Sequence, residues 1–168
     1  QFGRLNTEEK GMYLGMFEGD DKILVIYNDG TYEITEQELT QRFETDNVLV
    51  IEKFDSGKII TAIYYDGDKL QYNIKRFKIE TSTLQTKFSF IKEGSENFLE
   101  MVTTDPQPTL RLLIGKKADA KTQIIKVNEF VDVMGWKAAG IRLIDKKNAT
   151  MEWVVKENKN GEAQTSLF

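Results

Sequence analysis

The 168-residue chain contains no cysteine and no histidine. Without cysteine there is no disulfide, no thiol nucleophile and no thiolate zinc site. Without histidine the Ser-His-Asp triad is excluded, and with it the commonest general base near neutral pH and the commonest metal ligand. The lack of cysteine also fits a reducing compartment. Proline is scarce, with 2 residues, which argues against a linker or a polyproline segment. No stretch approaches the ~18 consecutive apolar residues of a membrane-spanning helix. The first residues, Gln1-Phe2-Gly3-Arg4, show neither a signal-peptide pattern nor an initiator Met, and the chain reads as an excised piece of a longer protein.

The remaining composition is that of a folded chain. Hydrophobic residues make up 40% and charged residues 30%, which is too apolar for a disordered segment. The length suits one domain, or a few small repeated units sharing a core. The net charge of −4 is unevenly spread: residues 1–50 carry 4 Lys/Arg against 11 Asp/Glu, and residues 111–168 carry 11 against 7. An acidic average counts against nucleic-acid binding. A local basic surface still attracts phosphate, because charges beyond about 8 Å are largely screened at physiological salt.

The pattern along the chain is strand and turn. Ile23–Tyr27 is a short β-branched run, Asn28-Asp29-Gly30 a tight-turn signal, and Thr31–Thr35 alternates as a half-buried strand does. The unit recurs as Lys58–Tyr65, Asp66-Gly67-Asp68 and Leu70–Glu80, and again as Thr109–Ile114, a basic turn, and Thr122–Val127. Further strands are expected at Val48–Phe54, Lys87–Ile91, Phe98–Thr103 and Ile141–Asp145, with helical turns at Glu36–Phe43 and Val127–Val133. About four strands per roughly 40–50 residues is the signature of a blade. An antiparallel sandwich strings hairpins together in the same way. The expected units are 17–52, 57–96 and 97–146, followed by a C-terminal strand and tail over 147–168.

Several phrases, in order, resemble the C-terminal domain of the A subunit of bacterial DNA topoisomerase IV, a type IIA, gyrase A-like enzyme, in its Bacteroidetes form. They are Gly3-Arg4-Leu5-Asn6, Gly11–Gly15, Asp20–Val25, Asp29–Thr35, Tyr72–Phe77, Glu129-Phe130, Lys137-Ala138, Gly140 and Arg142-Leu143. The resemblance spans roughly residues 3–146. It implies a mainly β fold, a β-pinwheel of propeller-like antiparallel blades in a partial ring. It also implies a parent that cuts and reseals both DNA strands with an active-site tyrosine, and a domain that binds or bends a flanking duplex. The gyrase box Gln-Arg-Arg-Gly-Gly-Lys-Gly has no counterpart here, which favours topoisomerase IV over gyrase-type wrapping.

Candidate phosphate contacts follow from cations placed together. Lys75, Arg76 and Lys78 sit on an expected strand, with Arg76 and Lys78 on one face. The plain alternative is a solvated strand face. Lys116, Lys117 and Lys121 occupy the third turn, where they could equally guard a sheet edge. Lys137 and Arg142 surround Trp136 and a small-residue stretch, with Trp136 read as core. Arg4 and Lys10 lie in the matched N-terminal phrase. The acidic trio Glu18, Asp20 and Asp21 lacks the twelve-residue ligand loop of an EF-hand and reads as a solvated turn. Tyr13, Tyr27, Tyr32, Tyr64, Tyr65 and Tyr72 read as sheet packing, and no catalytic residue or metal site is expected.

The functional expectation is an accessory DNA-binding domain without chemistry of its own. Its partners would be double-stranded DNA, the remainder of the A subunit and the ATPase B subunit, in a cytoplasmic, nucleoid-associated setting with no membrane. ATP and Mg²⁺ would belong to the holoenzyme. The alternative is a propeller-like protein-interaction module, favoured by the net charge and the acidic first third.

Overall fold

The computed structural model describes residues 2–8, 11–39, 42–116, 118–145 and 149–156. Three hairpins form the frame. The first joins β2 (Lys22–Tyr27) to β3 (Thr31–Glu36), the second β6 (Ile59–Asp66) to β7 (Gln71–Lys78), the third β10 (Thr109–Ile114) to β11 (Lys121–Lys126). The first turn closes because the Asp29 carboxylate accepts from both the backbone N–H (3.0 Å) and the hydroxyl (2.6 Å) of Thr31. Gly30 follows at φ 82°, and a Cβ there would meet the Ile91 side chain at 2.6 Å.

Around these hairpins lie β1 (Phe2–Arg4), β4 (Arg42–Glu44), β5 (Val48–Lys53), β8 (Phe88–Ser89), β9 (Phe98–Thr103), β12 (Val133–Met134), β13 (Ile141–Asp145) and β14 (Ala149–Trp153), with a 3-10 turn at Thr45–Asn47 and a helical turn, α1 (Val127–Phe130). One rule places most of them. The first strand of each hairpin takes a longer strand from downstream of that hairpin: β2 takes β5, β6 takes β9, and β10 takes β14, past β13. The second strand takes one from beyond the following hairpin: β3 takes β8 and β7 takes β13, both antiparallel, with β12 adding in parallel to β7. Each expected unit therefore holds one hairpin, yet the sheets cross the expected boundaries at 57 and 97. β1 and β4 form a separate antiparallel ribbon.

Burial follows from this layering. Leu24, Ile26, Tyr32 and Ile34 of the first sheet meet Ile60, Ala62 and Phe77 of the second, with Ile79 just beyond β7. On its other face the second sheet presents Ile63, Tyr65, Tyr72 and Ile74 to Leu110, Leu112 and Ile125 of the third. The far face of the first sheet is covered by Leu5, Met12, Leu14 and Phe17. The β6–β7 hairpin of the middle sheet thus has no solvent face. Trp136 packs edge-on to Tyr32 at 6.0 Å, a core position as expected. Five of the six tyrosines are buried, while Tyr13 is 78% exposed. Val127–Val133 contains the helical turn α1, whereas Glu36–Phe43 carries the end of β3 and the start of β4 instead. No helix among the described residues is long and apolar enough to cross a membrane.

Candidate nucleic-acid interface

The structure corrects the strongest expected cation group. Lys75 and Arg76 lie inside the molecule, 3% and 5% exposed. The Lys75 ammonium donates to the carbonyls of Phe90 (2.6 Å) and Trp136 (2.7 Å). Burial pulls its pKa down from 10.5 to about 8. The Arg76 guanidinium donates to the Thr61 hydroxyl (3.3 Å) and the Pro106 carbonyl (2.8 Å), and burial lowers its pKa too. Both cations are satisfied by neutral oxygens of the fold, which is how a buried charge is tolerated. They tie neighbouring segments to β7 and do not face phosphate. β7 has no solvent face before its last residue, because the first and third sheets cover both sides of the β6–β7 hairpin.

The signal for this was present. Apolar residues in the segment fall on Tyr72 and Ile74, then change parity to Phe77 and Ile79. A strand with one wet face keeps its parity, so the change marks packing on both sides.

The other described candidates are exposed. Lys78 ends β7, opposite Ile59. Lys137 lies between β12 and β13, with its ammonium 5.2 Å from the Trp136 ring centroid. Arg142 sits in β13 opposite Asn73 and pairs with Asp145 at 2.9 Å, which raises its pKa. Lys116 occupies the third hairpin turn, where its carbonyl accepts from the Asp119 N–H (2.9 Å), and Lys121 opens β11. Lys10 and Lys117 lie outside the described residues.

Arg4 gains an unforeseen neighbour. It is paired across the β1–β4 ribbon with Arg42, and both are exposed. Like charges directly opposite each other destabilise a strand pair unless an anion lies between them. Arg42 carried no sequence signal, since only long-range pairing brings residues 4 and 42 together. The acidic trio forms a turn as expected: Asp21 accepts from the Glu18 N–H at 2.7 Å and pairs with Lys53 at 3.1 Å, and these two contacts lower its pKa.

The edges of the three sheets differ in charge. At one edge, β5, β9 and β14 carry Glu52, Lys53, Glu100 and Glu152. At the other edge, β8, β12, β13 and β11 carry Lys121, Lys126, Arg142 and Asp145, with Lys87 flanking β8 and Asp132 and Lys137 flanking β12. The second edge is therefore the basic one.

Three packed, mainly antiparallel sheets that exchange strands between consecutive hairpin units define a propeller-like β-pinwheel. Residues 4–156 match the family described as topoisomerase C-terminal domain, Bacteroidota, and the chain belongs to that family. Its fold is similar to a solved structure described as the C-terminal domain of DNA topoisomerase IV. The identity is 14% and the TM-score 0.59, over 89% of this chain and 54% of that one. The chain thus spans about half the length of that solved chain. No curated protein matches.

Proposed function

We propose that this domain holds a duplex DNA segment for its parent topoisomerase through contacts to the phosphate backbone, and performs no chemistry itself. The observation that carries this reading is the segregation of charge between the two sheet edges, with cations gathered on the edge built by β8, β11, β12 and β13. Lys116, Lys121, Lys137 and Arg142 are the proposed contacts on or beside that edge, Lys78 at the exposed end of β7 is a further one, and Arg4 with Arg42 forms a second anion-facing pair. Phosphate contacts position a protein on DNA and carry little base information, so binding is sequence-tolerant. The remainder of the A subunit and the ATPase B subunit are the proposed protein partners, in the cytoplasm. ATP and Mg²⁺ act in the holoenzyme.

Fluorescence anisotropy on two unrelated duplexes, titrated with salt, tests the reading. The expected result is equal affinity for both and a steep linear fall of log K with log salt, about 0.9 per phosphate neutralised. No binding at low salt would leave the protein-interaction reading, which the exposed Ile124, Phe130, Val133 and Met134 favour.

A further inference from the structure

The three hairpins are built alike, but their second strands are not equally covered. β3 lies between β2 and β8, and β7 between β6 and β13. β11 has β10 on one side and, among the described residues, no strand on the other. Burial records the difference. Four of six residues are buried in β3 and six of eight in β7, against Ile125 alone in β11. On the face of the third sheet turned away from the core, Ile124 is 54% and Leu113 36% exposed. Lys121 and Lys126 stand at the two ends of the strand.

We propose that β11 is a docking edge for one extended strand of a separate polypeptide. The strand lies antiparallel, as β8 lies on β3 and β13 on β7. It is apolar at alternate positions and carries a carboxylate at each end. An uncovered edge offers unpaired N–H and C=O groups, which give such a strand its affinity, while side chains give it selectivity. Apolar positions cover Ile124, and the carboxylates meet the ammonium groups of Lys121 and Lys126. A second copy of β11 is the wrong occupant, because antiparallel self-pairing sets Lys121 against Lys126 at both ends. The fold supplies the precedent for the pairing geometry: β3 and β7 each receive an antiparallel strand, there from further along the same chain, an occupant that would leave β11 already protected. The inference does not rest on DNA binding.

Hydrogen exchange read by mass spectrometry tests it, with a blocked peptide Glu-Thr-Val-Thr-Val-Glu as probe, whose Val residues share the face of Ile124 while its two Glu lie opposite Lys126 and Lys121, and its Lys-ended counterpart as control. In the chain alone, β11 amides should exchange at least about tenfold faster than those of β3 and β7. Millimolar acid-ended peptide should slow β11 and leave β3 and β7 unchanged, while the Lys-ended peptide acts weakly. In the Lys121→Glu/Lys126→Glu double variant the preference should reverse. Ile124→Lys, at an exposed position, should lose the protection without loss of melting temperature. The proposal is overturned by a β11 already as protected as β3 and β7 or by no slowing with either peptide. Equal slowing by both peptides in both forms overturns it too, as does β11 protection that tracks dimerisation in light scattering.

Discussion

The Lys75 ammonium donates to the Trp136 carbonyl at 2.7 Å across 61 positions of sequence. With its second bond to Phe90, it fastens the segments that carry β8 and β13 to the same strand, β7. A cation placed by its neighbours among DNA contacts is thus an internal fastener of the strand exchange.

A pH dependence follows for Lys75. Its folded pKa is about 8 against an ordinary 10.5. Between those values the unfolded chain holds the proton and the folded chain releases it, so this group makes stability rise with pH. Urea unfolding from about pH 7 to about pH 9, a unit below the ordinary tyrosine value, should show a steeper rise for the native protein than for Lys75→Met. The variant should also be weaker by about 1–3 kcal/mol near neutral pH, since two buried carbonyls lose their donor. Parallel pH profiles for the two proteins would refute the assignment.

Gly140 should tolerate no side chain. It lies at φ 83°, and a Cβ would run into the Ile74 carbonyl oxygen and reach 2.9 Å from the Lys75 Cβ. The left-handed conformation alone costs a non-glycine residue roughly 1–2 kcal/mol, and the collision with β7 adds to it. Gly135→Ala is the control, because nothing lies within 4 Å of a Cβ there. Thermal unfolding should show a marked loss for Gly140→Ala and little change for Gly135→Ala.

The Arg4–Arg42 pair should give effects of opposite sign. Replacing Arg42 by Ala removes a like-charge opposition worth roughly 0.2–1 kcal/mol, so stability at low salt should hold or rise. Duplex binding should weaken, with a shallower salt slope. A variant that loses stability and keeps full DNA affinity would mean that the pair serves the ribbon and not an anion.

Replacing Lys78, Lys137 and Arg142 together by Ala should weaken binding about equally on unrelated duplexes and lower the salt slope by up to about 2 to 3. All three are exposed, so the fold should persist. Replacing Glu100 and Glu152 on the opposite edge by Gln should leave binding unchanged or tighten it. An unaltered slope in the triple variant would remove the basic edge from the mechanism.

The sequence by itself determined the three hairpins, since turn chemistry such as Asn28-Asp29-Gly30 and short-period alternation are local signals. Strands β2, β3, β6, β7, β9, β10, β11 and β13 fall close to their expected spans. β1, β4 and β12, of two or three residues, are too short to show a period and exist only because a distant strand pairs with them. The tertiary structure alone decided which strand joins which sheet, and therefore which cations face water. Lys75, Arg76 and Lys78 are near neighbours in sequence, but the first two are buried and the third is exposed. The reason is that β7 is covered on both faces by other sheets up to its last residue, and no local pattern of charge encodes how many layers lie above a strand.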